Sequence, residues 1–456
     1  MTGAVVLAHG IGSRGDLPLP AWLFAYGAGI AVVISFATLR LLWTRPRLDA
    51  AAAGSPAPAW TDAMVTIVGC IARAVGLALF LLTLVAATVG SGGTQENIAP
   101  VGIYVLFWVG LQLLSPVLGD IWRTLSPWDT LALLARRARG RRDVGVPDPP
   151  AGATCWPAVA GLAAFTWLEL CYHDPANPRV LAAALGAYAL AMLAGAARWG
   201  RAWLRTGDGF AVWFGLVAAL APLHVDGGGI EADGRRTAAD GPARRRLRLR
   251  WPGAGLADIV VRPGTAAVVL VVLGATTFDG VTRTSFWAGI AGGRSGWTLT
   301  AISTVGLLWV VAIVAVASMG AMRAGAALTG RRPEALVGPF AHSLVPIALA
   351  YTVAHYFSLA AFEGQGAVAL LSDPLGRGWD LFGTADRSID YRAVSPVAIA
   401  WVQAGAIVIG HVIAVAVAHD RAVGLFDRRQ ADRSQRPLVG VMVAYTVGGL
   451  ALLLGA

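Results

Sequence analysis

Long apolar segments repeat along this chain at close intervals, from residue 18 to its last residues. A helix needs about 20 apolar residues to cross the hydrocarbon core of a bilayer, and backbone of any other kind cannot face lipid without unsatisfied polar groups. The segments therefore predict an all-α bundle of ten transmembrane helices. Their ranges are 18–43, 62–89, 98–118, 156–172, 178–197, 263–279, 299–322, 338–362, 395–418 and 437–455.

Composition supports a membrane protein over a soluble one. Of the 456 residues, 56% are hydrophobic and 14% are charged, whereas soluble domains carry about 25% charged residues. The apolar segments follow one another too closely for separate soluble domains, so we expect a single membrane domain over 1–456. Cys70, Cys155 and Cys171 lack a CxxC spacing and are expected to be free thiols.

The positive charges indicate how the chain crosses the membrane. There is no lysine, and the arginines concentrate in a few blocks between apolar segments. Because cytoplasmic loops are enriched in basic residues, we predict a multi-pass protein of the plasma (inner) membrane with both termini extracytoplasmic. Topology accounts for the basic excess, so no nucleic-acid partner is expected. The expected partners are the lipid bilayer and a small-molecule substrate, with a partner membrane subunit as a further alternative.

Several connecting segments carry their own predictions. Crossing by residues 208–223 would place the arginines of 244–250 outside, so this segment and 119–142 are predicted to be interfacial helices on the cytoplasmic face. In 119–142, tryptophans are expected at headgroup depth. Residues 226–250 are predicted to form a mobile basic cytoplasmic loop. Residues 363–394 mix Gly and Pro turns with aromatic and acidic residues, which predicts a structured extracytoplasmic loop that acts as a lid.

Ionisable residues inside a span are costly and are by default functional hypotheses. Arg73 lies near the middle of the second span, where the alternatives are a functional role, snorkelling, or a structural pair with an acid on a neighbouring helix. Glu169 lies in the outer third of the fourth span, and His173 would share its helix face if that helix continued. Asp279 closes the sixth span, either as a functional carboxylate or as a simple helix end.

Histidines concentrate in the eighth and ninth spans. His342 and His355 are thirteen residues apart, about 20 Å along a helix, so they cannot hold one metal ion. Tyr351 and His355 share a helix face. His411 lies at a depth comparable to that of His342, and this pair could ligate haem, relay protons or be hydrogen-bonded core residues. Gln403 is the other buried polar residue of the ninth span.

Six ionisable residues are predicted near the extracytoplasmic rim: His9, Glu169, His173, Asp279, His355 and Glu363. Imidazoles and carboxylates together are the ligand set of zinc, copper or iron centres. The prediction makes His9, His173 and His355 metal ligands, Asp279 a ligand or supporting carboxylate, and Glu169 the general base. No HExxH spacing supports the set.

Two N-terminal stretches, AHGIGSRGDLPLPAWLFAYGAGIAVVISF and LLWTRPRL, resemble the opening of an actinobacterial and proteobacterial membrane-protein family called fenitrothion hydrolase. Further similar stretches are GDIWRTLSPWDTL, TTFDG, the AHYFS region and SDPLGRGWDLFGTAD. The matching residues are His9, Asp16, Asp279, His355, Asp373 and Asp380. The resemblance spans most of the chain and implies hydrolysis of an organophosphorus ester, a reaction that a metal-bound hydroxide would suit.

Three functions therefore remain open at this point. The first is a metal-dependent membrane hydrolase or oxygenase with its centre at the outer rim. The second is a transporter with a buried relay that includes Arg73, Glu169, His342 and His411, although no inverted repeat is evident. The third is an electron-transfer or assembly subunit in which His342 and His411 hold haem.

Overall fold

The fold is described here from a computed structural model, which defines residues 20–140, 152–226 and 246–455. Within these ranges, nine helices are long and apolar enough to cross a membrane, which confirms an all-α, multi-pass membrane protein. The longer helices are α1 (Ala21–Leu42), α2 (Trp60–Val89), α3 (Ile98–Leu118), α4 (Pro127–Ala138), α5 (Trp156–Leu170), α6 (Pro178–Trp199), α7 (Gly209–Ala218), α8 (Thr265–Thr282), α9 (Gly296–Leu328), α10 (Leu336–Ser372), α11 (Pro396–Leu425) and α12 (Arg428–Gly455).

Shorter elements join these helices. The short helical turns are Leu48–Ala52, Trp122–Leu125, Arg201–Trp203, Leu204–Gly207, Ala254–Leu256 and Ser285–Ala291. Within α3, Val101–Val109 is a π-helix, and within α10, His342–Leu344 is a 3₁₀ turn. Three strands, β1 (Ser55–Pro56), β2 (Leu223–Asp226) and β3 (Arg246–Leu249), form an antiparallel sheet in the order β1-β3-β2. The sequence did not predict this sheet.

The fourth predicted span is shorter than the other nine. It corresponds to α5, which has 15 residues, against the roughly 20 that a full crossing needs. Its first turn lies beside that of α8, because the Cys155 N–H donates to the Pro263 carbonyl at 2.7 Å. The two helices therefore run in the same direction. This is the direction expected for the fourth and sixth of ten spans that cross the membrane alternately.

The basic connections meet at one end of the bundle. The Arg248 guanidinium donates to the Ala53 and Gly54 carbonyls at 2.6 and 3.0 Å. Arg250 donates to the carbonyls of Ala218 and Ala221 at the C-terminal end of α7, where a cation is favoured by the helix dipole. We call this the arginine-rich end. Its assignment to the cytoplasm stays a prediction.

Helix α7 does not cross the membrane, but it also does not lie on the surface. It has ten residues, about 15 Å of helix, and is enclosed by other helices. Its buried residues are Gly209, Phe210, Val212, Trp213, Phe214, Leu216, Val217 and Ala218. The sequence predicts an interfacial helix for 208–223, because a crossing would place the arginines of 244–250 outside. The structure corrects this prediction. Apolar residues on every side of the helix fit a helix buried in protein.

The tryptophans of 119–142 also differ from the prediction. Trp122 and Trp128 are only 6% and 2% exposed, so they face the protein interior and not the headgroups. Both indole N–H groups donate to Asp208 Oδ2, at 3.0 and 3.1 Å. A buried carboxylate that needs donors explains why these rings turn inward.

The segment predicted as a structured loop begins later than expected, because α10 continues to Ser372. The loop that follows is ordered by local hydrogen bonds: the Asp373 carboxylate accepts from the N–H groups of Arg377 and Gly378 at 2.9 and 2.6 Å. The Ser91 N–H donates to the Leu375 carbonyl at 2.7 Å, which fastens the loop to the end of α2. Its side of the membrane stays a prediction. Most of the predicted mobile loop, residues 227–245, lies outside the described residues.

Candidate functional site

Two helices bring an acid, a histidine and an arginine together at the end opposite the arginine-rich end. His355 Nε2 of α10 lies 2.6 Å from Asp279 Oδ2 of α8 and 2.9 Å from Arg283 Nη2, just beyond the end of α8. The imidazole side chain is fully buried, whereas the Asp279 side chain is 15% exposed. A molecule entering from that end would therefore meet Asp279 before His355.

A tyrosine and a second carboxylate join this group. The Tyr356 hydroxyl donates to Asp279 Oδ2 at 3.1 Å, and Glu169, near the end of α5, lies close to both residues. Tyr356 is only 3% exposed. We call Asp279, His355, Arg283, Tyr356 and Glu169 the Asp279 cluster.

The protonation of His355 decides which of its two neighbours it can bond. His355 Nε2 lies between the Asp279 carboxylate, which accepts a hydrogen bond, and the Arg283 guanidinium, which donates one. With a proton on Nε2 the ring donates to Asp279, and without one it accepts from Arg283. A single nitrogen therefore makes one of these two bonds at a time.

A row of aromatic rings extends from His355 into the bundle. Tyr351 stacks on His355 with ring centroids 6.2 Å apart, and Tyr445 of α12 lies 5.9 Å from Tyr351. His411 of α11 follows at 6.3 Å from Tyr445. The Tyr445 hydroxyl bonds the Thr277 hydroxyl. The hydroxyl of Tyr351 finds no hydrogen-bond partner in the described part of the chain.

Two glycines allow Tyr351 to sit in this row. A Cβ atom at Gly280 would lie 2.9 Å from the Tyr351 hydroxyl oxygen, and one at Gly449 would lie 2.9 Å from a ring carbon. Both distances are shorter than a normal contact, so a side chain at either position would displace the tyrosine ring. The close approach of α8 and α12 to α10 therefore depends on these residues.

The structure brings together only part of the predicted rim site. Glu169, Asp279 and His355 do meet. His173 does not join them, because its Nδ1 lies 3.1 Å from the Thr300 hydroxyl and its ring packs on Trp297. The turn at Asp174 and Pro175 ends α5 before it reaches His173, so the shared helix face with Glu169 does not form. His9 lies outside the described residues.

The predicted metal centre is not assembled by the described residues. They contain no group of three or more His, Cys, Asp or Glu side chains arranged to hold a metal ion. In the Asp279 cluster, the Arg283 guanidinium occupies the space beside His355 Nε2 and Asp279 where a metal ion would have to bind. Its positive charge supplies the counter-charge that a cation would otherwise provide.

The predicted inner histidines are buried without forming a described pair. His342 is 3% exposed and His411 is fully buried. His411 Nδ1 bonds the Ile407 carbonyl at 2.8 Å, which leaves Nε2 as the ring's acceptor. His411 Nε2 and His342 Nδ1 both find no partner among the described residues. Gln403 forms no described hydrogen bond to the cluster.

Arg73 has the structural partner that one alternative predicted. Its Nη1 lies 2.8 Å from Asp129 Oδ2, and Arg201 binds the same carboxylate through two nitrogens, at 2.7 and 2.8 Å. Asp129 and Arg201 are 8% and 7% exposed. Burial by itself would raise the pKa of Asp129, but the hydrogen bonds and charge of Arg201, followed by those of Arg73, lower it below its usual value.

Sequence reasoning missed Arg283 and Tyr356. A signal for Arg283 was present, since Asp279 and Arg283 are four residues apart and would share a face at the end of a helix. Tyr356 follows His355 directly and bonds the same Asp279 Oδ2, so only the packing of α10 against α8 reveals it.

The fold and this cluster define the class of protein: an integral membrane protein with a buried acid, histidine and arginine group. The chain matches no protein-family model, no curated protein and no solved structure. The resemblance to the fenitrothion hydrolase family therefore stays a prediction.

Proposed function

We propose that this membrane protein is a transporter that couples the passage of a small solute to the movement of a proton, and that the Asp279 cluster carries that proton. The observation that supports it is the position of His355 Nε2, 2.6 Å from Asp279 Oδ2 and 2.9 Å from Arg283 Nη2. A nitrogen between an acceptor and a donor can give up or take a proton with little rearrangement.

The charged groups of the cluster support the same proposal. Asp279 and Glu169 place two carboxyl groups near one guanidinium, that of Arg283. A proton or the cationic group of a solute would be attracted to such a site. Competition between a proton and a solute for one site is a simple basis for coupled transport.

The cluster is less suited to base catalysis. A general base needs a nitrogen within hydrogen-bond reach of the substrate. Nε2 of His355 is already between Asp279 and Arg283, and the buried Nδ1 finds no partner in the described part of the chain. Asp279, which is partly exposed, is the group that a solute would contact.

The test uses purified protein in proteoliposomes that contain the pH dye pyranine. A panel of small organic cations, zwitterions and phosphoesters is added outside under an inward proton gradient. We expect at least one solute to accelerate internal acidification, and Asp279→Asn to abolish the acceleration. The matched control is Asp386→Asn, which removes an exposed loop carboxylate. A variant Asp279→Asn that keeps the same proton movement per solute would contradict the proposal.

A metal-dependent hydrolase of organophosphorus esters is the second candidate. It is favoured by one observation: Glu169, Asp279 and His355, three residues predicted for that chemistry, do lie together. Metal analysis by ICP-MS of the native protein and of His355→Ala distinguishes the two candidates. Stoichiometric zinc, copper or iron that disappears in His355→Ala, with hydrolysis of a nitrophenyl phosphotriester, would replace the transporter proposal. We expect no stoichiometric metal in either sample.

A further inference from the structure

A pocket lies at the arginine-rich end, where the last turn of α1, the last turn of α11 and the first turn of α12 meet. It has a cavity volume of about 40 Å³ and is partly open to the surroundings. Its lining residues are Arg40, Trp43, Thr44, His419, Val423, Phe426, Arg428, Ala431 and Asp432. We call it the α1–α12 pocket. It is far along the bundle from the Asp279 cluster, because about 20 Å of α12 lies between Asp432 and Tyr445, which bonds Thr277 of α8.

Positive charge exceeds negative charge in this pocket. The carboxylate of Asp432, which is 7% exposed, is shared by Arg40 Nε at 3.1 Å and Arg436 Nη2 at 2.5 Å. Of these arginines, Arg40 lines the pocket and Arg436 does not, and Arg428 adds a second guanidinium to the lining. The Arg40 side chain is 53% exposed, and a guanidinium has five N–H donors, so Arg40 can also donate to another acceptor. The side chain of Arg428 is exposed and makes no described hydrogen bond.

The histidine of the pocket is held in place by two oxygen atoms. His419 Nε2 lies 3.0 Å from the Trp43 carbonyl and Nδ1 lies 3.3 Å from Gln435 Oε1. The orientation of Gln435 is fixed, because its amide nitrogen donates to the Ala431 carbonyl at 2.8 Å. The imidazole therefore forms a fixed part of the pocket wall.

The wall of the pocket is held in place by a buried carboxylate. Asp420, which is 3% exposed, accepts from the Trp43 indole at 2.8 Å and from the Arg47 N–H at 2.6 Å. The Leu48 N–H donates to the same carboxylate at 3.3 Å. These bonds tie the chain after α1 to α11, so the pocket exists before any ligand binds, which favours affinity.

We propose that the α1–α12 pocket binds a phosphate group, with Arg428, Arg40 and the Thr44 hydroxyl as donors. Guanidinium groups match the geometry and charge of phosphate oxygens. Basic pockets between membrane helices are typical sites for the head groups of anionic lipids.

The surroundings of the pocket favour a lipid as the source of the phosphate. Leu41 and Leu42, beside Arg40 and Thr44, are 67% and 71% exposed, and Leu425 is 43% exposed. These side chains provide an apolar surface next to the charged pocket, where the acyl chains of a phospholipid would lie. A free phosphate ion would use the same donors without this surface.

The test is native mass spectrometry of the full chain in detergent, with three probes added separately: phosphatidylglycerol, phosphatidylcholine and inorganic phosphate. The variant is Arg428→Gln, whose exposed side chain contributes little to folding. The matched control is Arg332→Gln, which removes an exposed arginine before α10 that does not line the pocket. The melting temperature of each variant is measured first to establish that the fold is intact.

We expect one phosphatidylglycerol to bind the native protein more tightly than phosphatidylcholine does. Its affinity should fall about fivefold in Arg428→Gln, the loss expected for one arginine near an anionic surface, and should not change in Arg332→Gln. Inorganic phosphate that binds with the same dependence on Arg428 would support the phosphate site with a soluble ligand as its source. Equal weakening by both variants, or no preference for phosphatidylglycerol, would overturn the proposal.

Discussion

Neutralising Asp129 should destabilise the protein more than neutralising any exposed acid. In Asp129→Asn the side chain keeps its shape, but the guanidinium groups of Arg73 and Arg201 lose their shared counter-charge. Removing one partner of a buried ion pair costs about 3 to 5 kcal/mol because the remaining charge stays buried. This is a large part of a typical folding free energy of roughly 5 to 15 kcal/mol.

The assay is thermal unfolding of detergent-purified protein, followed by size-exclusion chromatography after heating. The control is Asp49→Asn, because Asp49 is 61% exposed in its side chain and lies 4.0 Å from Arg421. An exposed pair of this kind contributes about 0 to 1 kcal/mol. Arg73→Gln should fall between these two variants, since Arg201 would still hold Asp129 through two hydrogen bonds.

A double variant tests the reasoning most directly. Arg201→Gln combined with Asp129→Asn removes one charge of each sign, so it should be less destabilised than the sum of the two single variants. If Asp129→Asn melts at the same temperature as Asp49→Asn, or if the double variant shows simple additivity, the charge group does not stabilise the fold in the way described.

Three further predictions concern the same parts of the bundle. Asp208→Asn should lower the free energy of unfolding by about 1 to 3 kcal/mol and shift tryptophan emission, because an amide nitrogen would face indole donors. The control is Asp386→Asn. Gly76→Ala should destabilise the chain by roughly 1 to 3 kcal/mol, since the new Cβ would lie 2.0 Å from the Leu125 carbonyl oxygen. In the control Gly27→Ala, the new Cβ would meet nothing within 4 Å, so the melting temperature should not change. Because the pKa of Asp129 is lowered in the fold, the stability that this carboxylate contributes should be complete above the ordinary aspartate pKa and be lost as pH falls through the lowered value. The melting temperature, measured between pH 7 and pH 3, should therefore decline less in Asp129→Asn than in the native protein.

Apolar length and arginine position were enough to predict the main helices, because both are imposed by the bilayer itself. They were not enough for α7. Its residues are as apolar as those of a span, and only the residues packed around it distinguish a helix buried in protein from one at the membrane surface. The sheet was hidden for a similar reason: β1 and β2 are separated by more than 160 residues in the chain, and with two and four residues both are too short for a strand pattern to stand out.

In the candidate site, depth along each helix placed Glu169, Asp279 and His355 at the same end of the bundle, but depth says nothing about rotation around the helix axis. His173 could share a helix face with Glu169 only if the helix continued that far, and α5 ends at Leu170. The alternative, that the turn formers Asp174 and Pro175 place His173 in a connection, agrees with the structure. The residue that most changes the interpretation, Arg283, lies beyond the last residue of α8. It follows the last residue of the predicted sixth span, so the sequence assigned it no role, although its side chain reaches back to His355.

The buried acids differ in a way that bears on function. Asp208 accepts from two indoles, the Tyr188 hydroxyl at 2.7 Å and the Phe210 N–H at 3.0 Å, and Asp129 binds two arginines. Each has enough donors for its oxygens, so neither needs to exchange a proton, although burial raises the pKa of Asp208. The Asp279 cluster is different, because one nitrogen, His355 Nε2, lies within hydrogen-bond distance of both the Asp279 carboxylate and the Arg283 guanidinium. A protein that required only a stable interior would be expected to match these groups, as it does around Asp208 and Asp129. The mismatch is therefore the reason to look for function at Asp279 and not at the more heavily charged Asp129 group.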